Sequence, residues 1–219
     1  MTSVSLDPSV DGKVQVGLAW FGGLSAEESN PHWHEMEALA ETMRRVHGGK
    51  KPSEIPGLEP ARRLYRTFGV DPTRTRPSSE GLLRRVLQEK DLYRVNRLVD
   101  AVNWASLALL LPIGLYDLDK AMGSFTIRQG LEGESYEGIR RGEINLSGKL
   151  VIADEVGACG SPTADSLRTS IDDGTHHAVA MILTPADFSR ISLEEGLVRM
   201  SEQIVHWCGG EVLGNFILA

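Results

Sequence analysis

Few residues in this chain have the type and setting to do chemistry. Cys159, in "GACGSP", is a thiol between glycines, and a nucleophilic role needs a histidine partner that no local spacing supplies. A small buried thiol is the simpler expectation. "HWHE" places His32 and His34 two residues apart on an expected helix, so their rings diverge, and the HExxH pattern fails because residue 38 is Ala38. No metal site and no cofactor is therefore expected, and no glycine loop able to cradle a phosphate occurs. Asp100 and Asn103 lie one helical turn apart, where they either serve a site or hold a neighbouring loop.

The basic residues are unevenly spread. The chain has 219 residues, a net charge of −7 and 23 Lys and Arg, yet the window 62 to 97 holds ten basic and four acidic residues. Pairs four apart on helices explain part of this: Glu59 with Arg63, Glu80 with Arg84 and Arg85 with Glu89, each worth about 0.2–0.5 kcal/mol. Arg62 and Arg66 are also four apart and repel unless an anion intervenes. Arg74 and Arg76 sit in a turn whose one local acid is Asp71, and arginine favours phosphate. An acidic chain with one basic segment fits a local nucleic-acid contact, not a protein coated by nucleic acid.

The elements that must position these groups follow from periodicity and punctuation. "VQVGLAWF" (14 to 21) reads as a strand. A helix is expected over 30 to 47, with Asn30 as N-cap, Pro31 at the first helical position and an apolar face of Trp33, Met36, Leu39, Met43 and Val46. Shorter helices are expected near 59 to 68 and 78 to 89, and a largely buried one from Val99 to Leu111, ended by Pro112. "SFTIRQ", "ESYEGI", "KLVIADE" and "HHAVAMIL" read as short strands. "SLEE" forms a capping box at Ser192 and Glu195 for a last helix ending near Gly209, and "EVLGNFIL" reads as a strand. Helices first and strands later indicate an α+β protein. The longest apolar run, near "LALLLPIGL", is too short to span a bilayer. The first residues lack a basic stretch followed by an apolar one, and the two cysteines, Cys159 and Cys208, form no disulfide framework, so a cytoplasmic protein is expected.

One passage is more specific. "PSEIPGLEPARRLYRTFGVDPTRTRPSSEGLLRRVL", then "NRLVDAVNWASLALLLPIGLYDLDK", "VIAD" and "DSLRT", resembles the B3/B4 domain of the phenylalanyl-tRNA synthetase beta subunit, above all the free-standing proteins built from that domain. The resemblance runs from about Pro52 to Thr184. It implies a single domain over 1–219: an N-terminal strand and helix extension (1–51), a core (52–190) and a C-terminal helix and strand (191–219). The implied fold is a β-barrel-like mixed sheet core decorated with helices. The implied activity is editing, the hydrolysis of mischarged aminoacyl-tRNA, here in trans. The partner is then the acceptor end of tRNA, with no DNA and no membrane. The free-standing pattern is met at Asp100, Asn103, Ser106, Pro112, Gly114, Asp117, Asp119, Ser166, Arg168 and Thr169. Val102 and Gly114 stand where the synthetase has threonine and histidine, and its Gly-Gly-Glu segment is missing, so a broader amino-acid pocket is expected.

An aminoacyl ester is already activated, and its hydrolysis needs a placed water and charge stabilisation. Asn103, Asp165, Ser166 and Thr169 are expected to orient that water or to bind the substrate's amino group and ribose. Val102, Gly114, Gly157, Cys159 and Gly160 line the expected pocket, and the backbone amides of 157 to 160 form the expected oxyanion site. Arg62, Arg66, Arg74 and Arg76 are then expected to meet RNA phosphates. Asn103 and "DSLRT" are expected to converge on one cleft. Two other classes stay open: an RNA-binding module without catalysis, and a protein that binds or hydrolyses a small amino-acid derivative.

Overall fold

The computed structural model describes residues 2–139 and 142–219. Near the N-terminus come β1 (Val4–Leu6), β2 (Val14–Gly22) and helix α1 (Trp33–His47). Three helices follow: α2 (Glu59–Thr67), α3 (Ser78–Leu87) and α4 (Arg97–Leu109). The strand-rich half holds β3 (Ile113–Asp117), β4 (Phe125–Gln129), β5 (Ser135–Gly138), β6 (Gly142–Asn145), β7 (Leu150–Ala153), β8 (Ala158–Gly160) and β9 (Ala178–Pro185). Helix α5 (Arg190–Cys208) and β10 (Glu211–Leu218) complete the chain. The class is α+β.

Two open four-stranded sheets organise the molecule. One runs β10-β2-β9-β3, all antiparallel, and the other β1-β4-β7-β8, with β1 parallel to β4. A β5–β6 antiparallel pair is bridged to Ser166 through Gly138. Among the described residues the hydrogen bonding closes no ring, so the expected barrel-like core is two separate sheets. The alternation of β2 explains their stacking. Ala19 and Phe21 face a helical layer with Met36, Val102, Ala105 and Leu193, whereas Val16, Leu18 and Trp20 face Phe125, Ile127 and Ile152 of the second sheet. The first sheet is thus a partition between two cores.

Local chemistry moves some helix ends. Asn30 does not cap α1: its Oδ1 accepts the His32 amide at 3.0 Å, its Nδ2 donates to Asp100 Oδ2 at 3.1 Å, and the helix begins at Trp33. Val46, expected on the apolar face, is 49% exposed near the C-terminal end of α1. Helix α5 starts before the expected box, because Ser189 Oγ accepts the Ser192 amide at 3.2 Å. Asn96 caps α4 through the Val99 amide, and Leu110 ends that helix in the left-handed region at φ 57°. Strand β3 was not legible in "PIGLYD"; pairing with β9 makes it a strand. Among the described residues no helix is long and apolar enough to cross a membrane.

Candidate functional site

The motif residues divide between the two sides of the partition. Val102 is buried in the helical core, and Asn103 is half-buried on the same helix. Cys159 packs on the opposite side with Leu18, Tyr116 and Met181. Among the described residues no hydrogen bond joins Asn103 to the 157–175 segment. The helix is apolar almost all round and is buried chiefly against α5, α3 and β3, and Ile171 of that segment packs against the same helical core.

Gly114 opens no space either. Gly114 and Tyr116 alternate onto the same face of β3, and the buried Tyr116 ring lies between Gly114 and Gly160. A Cβ on either glycine would run into the phenol oxygen. Tyr116 occupies the volume expected for substrate, and sequence reading missed it because β3 itself was missed.

Beside this ring lies Asp165, whose Oδ1 and the Tyr116 Oη are both enclosed without a hydrogen bond of acceptable geometry. The two groups nevertheless interact through space. Burial pushes the Asp165 carboxyl up to about 7, partly offset by Tyr116 and the Leu115 amide, and burial with Asp165's charge drives the Tyr116 phenol upward. A carboxyl of raised pKa binds its proton more tightly folded than unfolded. Its contribution to stability is therefore undiminished below about pH 4 and falls as pH rises to about 7, above which it is constant. Asp165→Asn is expected to remove this fall. The check is the difference between the urea-unfolding free energies of the two proteins from pH 4 to 8; a constant difference would contradict the shifted carboxyl.

The remaining motif residues are engaged. Ser166 Oγ accepts the Arg168 amide at 3.2 Å, and Thr169 Oγ1 donates to the Cys159 carbonyl at 3.5 Å. Burial pushes the Cys159 thiol up to about 12, against a nucleophilic role. The Gly157 amide donates to Asp154 Oδ1 at 3.2 Å, so it is not an oxyanion donor. Arg168 grips Asp154 with two bonds of 2.8 and 2.7 Å, and Asp154 also accepts the Met122 and Val156 amides. "VIAD" and "DSLRT" are thus two halves of one ion pair. Asp117 Oδ2 accepts the Thr175 hydroxyl at 2.7 Å, and Ser106 Oγ donates to the Leu111 carbonyl at 2.8 Å, which explains two further motif positions as scaffold.

A cleft lies on the sheet side of the molecule, between α2, the 70–75 turn, β6 and the 161–163 loop. Its enclosed volume is about 50 Å³, room for a few waters or one small group and below the roughly 300–1,000 Å³ of drug-sized ligand sites. Leu64, Phe68, Ile144 and Leu146 form apolar walls, and Ser161 and Thr163 supply hydroxyls. Thr163 Oγ1 and Tyr65 Oη are 2.7 Å apart, and Tyr136 Oη donates to Ser161 Oγ at 3.0 Å. Thr75 also lines the cleft, and the exposed Arg74 and Arg76 flank it in the chain.

The arginines now separate by partner. Arg62 makes a bidentate pair with Glu80 at 2.7 and 2.8 Å, buried between α2 and α3, and is withdrawn from the expected RNA face. Arg66 pairs with Glu59 at 2.7 Å on the surface, Arg63 with Asp187 at 3.0 Å, and Arg97 with Glu27 at 2.9 Å. Arg85 donates to the Asp91 carbonyl and the Tyr93 hydroxyl. None of the three expected i,i+4 pairs is present among the ion pairs of the described residues. Arg74 and Arg76 form none there either.

Comparison with known proteins agrees with this architecture. A family model described as the B3/4 domain matches residues 60–191. A phenylalanine–tRNA ligase beta subunit of Neisseria meningitidis serogroup B is 28% identical over 112 residues, covering 50% of this chain and 14% of that protein. The corresponding subunit of Bartonella henselae is 30% identical over 142 residues, covering 53% of this chain and 18% of its own. The matched stretches are thus less than a fifth of these relatives' lengths. In structure, the chain resembles an N-terminal fragment of the phenylalanyl-tRNA synthetase beta subunit from Pyrococcus horikoshii, with a TM-score of 0.52 at 12% identity, over 99% of this chain and 54% of that one. With more than half its length matched by the family model, including the α2, α3, α4 and "DSLRT" segments that build the two cores, the chain belongs to the B3/4 domain family.

Proposed function

We propose that the chain binds the aminoacylated acceptor end of a tRNA and hydrolyses a mischarged ester in trans. The observation that carries this reading is the small apolar cleft with lining hydroxyls and, next to it in the chain, two exposed arginines that form no ion pair among the described residues. A small apolar group suits its walls, with the rest of the aminoacyl end at the open mouth, and terminal phosphates suit Arg74 and Arg76. Water adds to the ester carbonyl carbon, the Thr163 hydroxyl meets the developing oxyanion, and the carbon–oxygen bond to the ribose breaks as the ribose oxygen takes the proton that the water gives up. Family membership supports the tRNA partner, since the relatives are named tRNA ligase subunits.

Purified protein incubated with tRNAs charged with different amino acids is expected to deacylate a few apolar species. Arg74→Ala with Arg76→Ala should weaken tRNA binding and lower its salt slope by about 0.7–0.9 for each phosphate no longer neutralised. Unchanged affinity in the folded double variant would remove the arginines from the interface. A second reading, a tRNA-binding module without catalysis, is favoured by the engagement of Ser166, Thr169 and Cys159 inside the fold. Binding without turnover across the panel would select it.

A further inference from the structure

Far from the cleft, "HWHE" has a different meaning in three dimensions than in the sequence. His34 turns back to the Pro31 carbonyl at 3.3 Å, but His32 faces helix α5. Glu35 Oε1 lies 2.9 Å from His206 Nε2 and 3.4 Å from His32 Nδ1, and the two imidazole centroids are 4.6 Å apart. The other carboxylate oxygen, Oε2, accepts Gln203 Nε2 and Trp207 Nε1, each at 3.2 Å. Trp207 also stacks on His32, with ring planes 10° apart.

This is a built arrangement. Two N–H donors and a stacked indole fix one carboxylate oxygen and one imidazole, and direct the second oxygen toward two ring nitrogens. A proton on one ring serves one of these contacts, whereas a divalent cation serves all three ligands together. Two imidazoles and one carboxylate are a borderline donor set, suited to Zn²⁺ and unsuited to Mg²⁺ or Ca²⁺. Bond lengths of about 2.0–2.2 Å at a tetrahedral centre separate ligand atoms by roughly 3.3–3.5 Å. The three ligand atoms here lie within 4.8 Å of one another, and small rotations of the exposed His206 ring complete the approach. Gln203 and Trp207 would be the outer partners that orient a metal-bound carboxylate.

We propose that His32, Glu35 and His206 form a Zn²⁺ site that clamps the start of α1 to the end of α5, with water completing the coordination. Glu35 and His206 are 171 residues apart, so one ion would tie the N-terminal extension to the C-terminal helix. Binding to the folded chain alone raises its stability by mass action. This assignment is independent of the tRNA reading.

The test uses the full chain stripped with a chelator and titrated with Zn²⁺ in competition with a chromophoric chelator, and with Co²⁺ for its visible absorption. One ion per chain is expected, with a rise in melting temperature. His206→Ala and Glu35→Gln should weaken binding at least about tenfold and abolish that rise, while His34→Ala on the same helix leaves both intact. Circular dichroism establishes that each variant folds. If Glu35→Gln does not fold, the exposed His206→Ala carries the result alone. Failure to saturate with Zn²⁺, or equal binding by the His206→Ala and His34→Ala proteins, overturns the site.

Discussion

Replacing Arg62 with alanine lowers the unfolding free energy by about 3–5 kcal/mol, the effect expected when one partner of a buried pair is removed. The Arg62 and Glu80 side chains are 12% and 3% exposed, and their two bonds join α2 to α3. Alanine leaves the Glu80 carboxylate enclosed without its counter-charge. At about 2–4 °C per kcal/mol for a domain of this length, the melting temperature falls by roughly 6–20 °C. Arg62→Lys keeps the charge but loses the fork, and is expected to lie between. The exposed Arg74→Ala and Arg76→Ala proteins serve as controls, each within about 0.5 kcal/mol of the parent. Thermal unfolding of the four variants decides the matter. An Arg62→Ala protein that melts with the parent but binds tRNA weakly would return this arginine to the RNA face.

Gly160→Ala should be almost as damaging. The added methyl meets the oxygen and ring edge of Tyr116, a fully buried side chain that also packs on Phe125 with ring centroids 5.5 Å apart. The ring cannot retreat toward β3, because Gly114 is already in close approach on that strand. Overpacking costs about 1–3 kcal/mol where neighbours can adjust. Here the neighbour is a rigid aromatic ring, and a destabilisation of about 3 kcal/mol or more in urea unfolding is expected. Tyr116→Phe removes a hydroxyl without a well-formed hydrogen bond and is expected to be nearly neutral by itself. In the Gly160→Ala background it should recover part of the stability, a coupling that a double-mutant cycle measures. Parental stability in Gly160→Ala would mean that the ring is not pinned between the glycines.

These two sites mark the limit of reading a chain residue by residue. Local rules assign Glu80 to Arg84, one helical turn away, yet Glu80 is buried and takes Arg62 from the neighbouring helix. A buried carboxylate requires a partner inside the fold, and that requirement outweighs the few tenths of a kcal/mol of a solvated pair. "PIGLYD" holds a proline and a glycine and carries no strand signal. It becomes β3 because β9 supplies an edge to pair with, and Gly114 is there because Tyr116 fills the space beside it.

Periodicity, punctuation and the ordered motifs from "RPSSE" to "DSLRT" were sufficient, without coordinates, for the α+β class, most helices and the family. Each of those signals lies within a short stretch of chain. The sequence also determined that arginines would concentrate between 62 and 97. Only the tertiary structure decided which of them remain exposed, that Val102 and Cys159 fall in different cores, and that His32 meets His206. Contacts between distant segments depend on how sheets and helices stack, and spacing along the chain carries no record of that stacking.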